Sequence, residues 1–323
     1  MKHLLNLLAA VALLVWGTQL VRTGILRVFG ANLRQIIARS VRTPVTAALS
    51  GVGVTAVVQS STATALIVSS FVGQGLIALP AALAVMLGAD VGSSVMAVVF
   101  SLDLSWLSPL CIFVGVVLYV PRPDTTVGRM GRVFIGLGLM LLALRLITEA
   151  TTVLTQSDTV RALLGALASD LAMELTMGAL LALVSYSSLA TVLLTATLVG
   201  SGGIPVTVAL GLVLGANLGS GLLAVLTTLR ANVATRQVPL GNLMFKITGV
   251  ALMAPLAAPW LQYMRPYVAS DATLVVLFHL AFNMVVGLVC IGLTGTVARA
   301  VQRLLPPQKA QAAGTRPQHL DPS

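Results

Sequence analysis

The sequence predicts an all-α polytopic membrane protein built from two inverted-topology repeats, each with a re-entrant helical hairpin, giving about seven full crossings plus two hairpins. Three observations predict it. Of 323 residues, 57% are hydrophobic and 9% charged, and the mean hydropathy is +1.00, which leaves too few polar side chains to solvate the outside of a globule. Residues 59–101 recur without a gap as residues 186–228, an offset of 127 that sets Ser60-Ser61 on Ser187-Ser188, Gly73 on Gly200, Gly88-Ala89 on Gly215-Ala216 and Gly92-Ser93 on Gly219-Ser220. The linkers that precede the two copies carry opposite charge.

The first apolar run, about 3–21, is read as a retained crossing and not a cleaved signal. Only Lys2 precedes it, whereas Arg22, Arg27, Arg34, Arg39 and Arg42 follow. The arginine-bearing segment sets Ile25, Val28, Leu33, Ile36 and Ile37 against those charges, the pattern of an amphipathic helix lying along the membrane interface. Pro44 to Val58 is too short to cross a core of about 30 Å, since 15 helical residues span about 22 Å. It stops at Gln59-Ser60-Ser61-Thr62 before a second short run, which is the signature of a re-entrant hairpin over about 44–75. Further crossings are expected at about 78–101, 106–121 and 131–149. Leu171 to Val184, the cluster Ser185-Tyr186-Ser187-Ser188 and Leu189 to Val199 then repeat the hairpin over about 171–202. Crossings at about 204–228, 239–261 and 272–297 follow. The repeats are accordingly placed at 1–127 and 128–262, with an extra helix at 263–300 and a disordered cytoplasmic tail at 301–323.

Three crossings and one hairpin per unit make an odd count, so the second unit enters from the opposite side. The linker from Arg22 to Arg42 holds five arginines and no acid, whereas Glu149 to Glu174 holds Glu149, Asp158, Asp170 and Glu174 against Arg161. The positive-inside rule puts the first linker in the cytoplasm and the second outside, with the amino terminus outside and the carboxy terminus inside a bacterial-type inner membrane. The net charge of +10 lies in loops without interleaved aromatics. It reads as contact with the lipid bilayer and not with nucleic acid. Cys111 and Cys290 sit in apolar runs, and no metal motif, nucleotide loop or nucleophile–base pair occurs, so neither an enzyme nor a bound cofactor is expected.

Inverted repeats with broken helices place binding sites where the units meet, so the polar hairpin tips are the candidate site. Hydroxyls and free amides at a helix amino terminus suit an anion, and hydroxyl and carbonyl oxygens suit a hard cation. Asp90 and Lys246 are costly inside a crossing, by about 2.5 to 3.5 kcal/mol on insertion scales. They could pair; Asp90 could instead bind sodium or take a coupling proton, and Lys246 could neutralise an anion or snorkel to the interface. His279 is read as a helix-packing hydrogen bonder, not a metal ligand.

With VVQSSTAT at 57–64, GADVGSS at 88–94, GANLGS at 215–220, GNLMFK at 241–246 and FHLAFN at 278–283, the chain resembles the sodium-dependent phosphate cotransporters, the type II group with its bacterial relatives, from the first crossing to about residue 297. The resemblance implies a secondary carrier of inorganic phosphate with sodium as coupling ion. It implicates Gln59, Ser60, Ser61, Thr62 and Thr64 in the first repeat, Ser187, Ser188 and Thr191 in the second, and Asp90, Ser93, Asn217 and Ser220 in the Gly-Ala-Asx blocks. Sodium is assigned to Gln59, Ser60, Ser188 and Asn217. The chain departs from the family pattern at Tyr186, where Gln is expected, and at Asp90 and Lys246, where Asn is expected; Tyr186 and Lys246 are therefore possible modulators. The carboxy-terminal phosphate-regulatory-like domain of many bacterial relatives is not expected within these residues. A carrier of another anion, a proton-coupled carrier and a non-transporting regulatory or scaffold subunit are the alternatives.

Overall fold

Apolar stretches punctuated by Gly, Pro and small hydroxyl residues fold here as helices, several of them started by a side-chain cap. The computed structural model describes residues 2–102, 104, 106–154 and 170–306, and every regular element among them is helical. In chain order these are α1 (Lys2–Ser40), α2 (Pro44–Val58), α3 (Ser61–Gly73), α4 (Leu79–Ser101), α5 (Leu107–Tyr119), α6 (Thr126–Leu154), α7 (Leu171–Ser185), α8 (Ser188–Gly200), α9 (Val206–Thr228), α10 (Val233–Met253), α11 (Ala257–Met264), α12 (Asp271–Cys290) and, after a 3₁₀ turn at Ile291–Leu293, α13 (Thr294–Leu304). The bounds of α2, α3 and α4 return in α7, α8 and α9 at the offset of 127. So do their caps. Thr43, with Pro44 behind it, caps α2 by accepting from the Thr46 N–H, and Asp170 caps α7 by accepting from the Ala172 N–H.

Among the described residues, five helices are long and apolar enough to cross a membrane: 3–40, 79–101, 126–152, 206–228 and 271–304, the last including the 3₁₀ turn. A sixth crossing counts α10 and α11 together, bent by 66°. By length and composition five or six spans are counted, against the seven expected. The segment expected to cross at 106–121 forms α5, only 13 residues or about 20 Å, because Pro121 and Pro123 stop it. The crossing expected at 239–261 begins earlier, at the Asn232 cap, and breaks where Pro255 lacks an N–H. No separate interfacial helix follows the first crossing. α1 runs unbroken for 39 residues, since nothing between Arg22 and Ser40 interrupts its hydrogen bonds, and it lies along α6 with Gly17 against Gly136. The segment expected to be disordered at 301–323 is helical over Val301–Leu304, which complete α13; residues 307–323 lie outside the described residues, as do Asp103, Asp158 and Arg161.

Small residues set the packing. A Cβ on Gly88 would collide with the Ala48 carbonyl oxygen, and one on Gly92 with that of Val52, so α2 and α4 touch backbone to backbone with their residue numbers rising together. They are parallel. In the second copy Gly215 meets Leu175 and Gly219 meets Ala179 in the same way, which makes α7 and α9 parallel. Around this frame, α12 packs against α4, α8 and α9, and α3 against α10. Phe245, Phe278 and Phe282 are among the largest fully buried side chains, and Trp260 meets Phe278 edge to face at 5.0 Å.

The two ends of the bundle differ. At one, the carboxyl end of α3 at Gly73 lies against Asn232 and Thr235, and Gln237 donates to the Leu305 carbonyl at 2.8 Å. At the other, a cavity of about 390 Å³ is lined by Ser101, Arg145, Thr148, Glu149, Gly200 and Ala272, among others, where the ends of α4, α6, α8 and α12 converge.

Candidate functional site

Each polar cluster breaks an apolar run by the same local device. Gln59 ends α2 in the left-handed region at φ 59, ψ 26, and Tyr186 ends α7 there at φ 53, ψ 25. These are the only non-glycine residues with positive φ among those described, a conformation that costs a side-chain-bearing residue about 1–2 kcal/mol. The next residue is extended and caps the following helix: Ser60 Oγ accepts from the Ala63 N–H at 3.2 Å, and Ser187 Oγ from the Ala190 N–H at 3.1 Å. A hydroxyl contact then ties the arms together. In the first copy Thr55 and Thr64 meet at 2.7 Å, with Thr64 also 3.2 Å from the Ser60 carbonyl. In the second, Ser185 takes the place of Thr55, one turn further on, 3.1 Å from Thr191 and donating to the Ser187 carbonyl at 2.9 Å.

The predicted tip residues thus divide into two kinds. Ser60, Ser187, Thr64 and Thr191 are engaged in caps and clamps. Ser61, Thr62 and Ser188 are buried in the first turns of α3 and α8, and their hydroxyls take no hydrogen bond among the described residues. Gln59 Oε1 is also buried without a partner among the described residues. Tyr186 keeps the backbone position of Gln59, yet its side chain is 54% exposed, so the phenol does not fill the interior behind the second tip.

A second polar centre lies between α4, α9, α10 and α12. Lys246, 2% exposed, places Nζ 3.0 Å from Asp90 Oδ1 and donates to Ser220 Oγ at 3.2 Å. The pairing alternative is the one observed. Snorkelling is overturned, because α10 starts at Val233 and puts Lys246 13 residues, or about 20 Å, from that end, beyond the reach of its stem. Ser220 donates to the Asn217 carbonyl and Ser93 to that of Asp90, each at 2.9 Å. The Asn217 amide donates to the Val213 carbonyl at 2.9 Å and meets His279 Nδ1 at 3.2 Å. The Asn283 amide approaches the same ring nitrogen at 3.3 Å, so His279 packs helices as read, with Nε2 unpartnered among the described residues. Asn283, Ser185 and Thr55 were not singled out as site residues. A hydroxyl residue in the last turn before each left-handed residue, Thr55 before Gln59 and Ser185 before Tyr186, was the available signal for the clamps; nothing local marks Asn283.

No hydrogen bond among the described residues links the tips to the Asp90–Lys246 centre. The expected sodium set is therefore not assembled by direct bonds: Gln59 and Ser60 belong to one tip, Ser188 to the other, and Asn217 to the His279 network. Among the described residues no group of three or more His, Cys, Asp or Glu side chains forms a metal site.

Long apolar helices around a buried, hydrogen-bonded polar interior define a polytopic membrane protein. The chain belongs to the Na+/Pi-cotransporter family, a family of transporters and not of enzymes, whose sequence profile matches it twice in succession, over residues 13–149 and 150–294. Relatives in Salmonella typhimurium and Escherichia coli, each bearing the name "Putative inorganic phosphate export protein YjbB", are 49% identical across all of this chain. The chain spans 60% of their length. The uncharacterized protein YqeW of Bacillus subtilis is 23% identical over 95% of the chain and 99% of its own length. No solved structure matches.

Proposed function

We propose that this chain is a secondary carrier of inorganic phosphate, coupled to sodium, that alternates access around the two serine-bearing tips. The observation that carries the reading is the recurrence, at one offset, of an unpaired buried serine in the first turn of a helix behind a left-handed break: Ser61 in α3 and Ser188 in α8. Amides and hydroxyls at such a turn suit a phosphate oxygen, and the helix dipole adds to the attraction. The family and the relatives' names point to the same solute.

The re-entrant, inverted reading rests on directions. α2 and α4 are parallel although α3 joins them, as expected if α3 returns to the side from which α2 starts. The carboxyl end of α4 shares a cavity with that of α8, beside which α9 begins, so α4 and α9 run oppositely. Repeats at 1–127 and 128–262, followed by an extra helix, accommodate this. Charge puts the α3–α10 end in the cytoplasm and the 390 Å³ cavity outside, where α8 leads from it to the second tip.

Phosphate carries one to two negative charges near neutral pH, and burying it alone is costly, so cations bound with it make the site occupiable. Each excess cation that moves through the membrane potential contributes about 2.3 kcal/mol per 100 mV. The gradients set the direction, and the relatives' name favours export. The test is uptake of labelled phosphate by proteoliposomes under a sodium, potassium or pH gradient. Sodium-dependent accumulation is expected; accumulation driven only by pH would move coupling to a proton, and no flux with folded protein would favour another solute or a regulatory subunit.

A further inference from the structure

The Asp90–Lys246 contact joins the two repeats at matched places. Asp90 and Asn217 are the same position in the two copies, as are Ser93 and Ser220. The ammonium takes one oxygen from the block of each copy, the carboxylate of Asp90 at 3.0 Å and the hydroxyl of Ser220 at 3.2 Å. Ser220 sends its own proton to the Asn217 carbonyl, so the lone pairs of its oxygen face Nζ as they would face a metal cation. The stem has a slot built for it. At Gly221 a Cβ would stand 3.0 Å from Lys246 Cδ, whereas the matching position of the first copy carries Ser94.

A buried carboxylate needs a positive partner, and hard oxygen donors of this kind suit a small cation as well as an ammonium. We propose that the Lys246 ammonium is a tethered cation filling an inter-repeat site formed by Asp90 and Ser220, and that a free sodium ion takes its place when the amine is removed. The centre is separate from the tips, with no hydrogen bond joining them among the described residues. Its consequence for transport rests on the carrier reading above: a charge fixed to the chain cannot be exchanged across the membrane, so this position supplies no coupling ion and the cycle runs with one fewer.

The test is equilibrium binding of ²²Na⁺ to the purified full chain, with thermal unfolding in sodium chloride against choline chloride at equal ionic strength, both without phosphate. Lys246→Ala is expected to bind one more sodium ion per chain than the unaltered protein and to gain thermal stability from sodium but not choline. Asp90→Asn added to Lys246→Ala should abolish both gains. Unaltered sodium binding in folded Lys246→Ala overturns the proposal. Where Lys246→Ala does not fold in choline, recovery in sodium supports the proposal, and Lys246→Gln, which keeps a long polar stem, is read in the same way. Failure of sodium to recover either variant overturns it. Because the readout is binding, an absence of phosphate flux would sink the carrier reading and leave this result to stand or fall alone.

Discussion

Adjacent serines at the second tip perform different work. Ser187 spends its hydroxyl on the Ala190 N–H, whereas Ser188, buried, spends its on nothing among the described residues. Ser187→Ala is therefore expected to destabilise the protein by about 1 kcal/mol, as loss of a cap does, read as a lowered unfolding midpoint. Ser188→Ala should leave that midpoint in place and reduce phosphate flux at least tenfold; equal flux in Ser188→Ala and the unaltered protein would remove the second tip from the binding site. At this scale the sequence was legible where the signal is local. The paired serines, Gln59 and Tyr186 stand out because a polar cluster inside an apolar run has few explanations. The actual partner of Lys246 was not fixed by the sequence, because Asp90 lies 156 residues away and only the packing of α4 against α10 decides between pairing and snorkelling.

At the scale of elements, the helices α2, α3 and α4 recur as α7, α8 and α9 with bounds at the offset of the sequence repeat, since Pro44, the serine caps and glycines at 75 and 202 punctuate them locally. Where punctuation is tertiary the reading missed. α1 carries four arginines in its second half and yet continues as one helix, its first part packed along α6 as far as Arg27. The segment expected to cross at 106–121 forms the shorter α5, which runs back along α6. Glycine placement makes a sharper prediction. Gly88→Val should yield little folded, monodisperse protein, because its side chain would meet the Ala48 backbone, which cannot give way as a side-chain end can. Gly53 in the same packing pair has nothing within 4 Å of its would-be Cβ, and Gly53→Ala should be neutral or stabilising by up to about 1 kcal/mol. Size-exclusion profiles after detergent extraction check both; normal profiles for Gly88→Val would mean the helices stand further apart than described.

For the whole molecule, the inverted arrangement proposed above would put the connection before α6 and the one after α8 on opposite sides of a bilayer. Cysteines at Asp124→Cys and Ser201→Cys are therefore expected to react with a membrane-impermeant thiol reagent from different sides, the first only after the cytoplasmic side is opened. Labelling of both from one side would rule out the inverted arrangement. The contact of α2 with α4, and of α7 with α9, has a mechanical meaning as well. Shifting α2 along α4 by one residue would bring the side chain of Leu87 or Ala89 towards the place that only Gly88 can occupy. Each pair is a seam with a single register, unable to glide. The rearrangement that the proposed carrier cycle requires would then have to be absorbed along boundaries where side chains, not bare backbone, meet, such as those of α8 with α6 and α12.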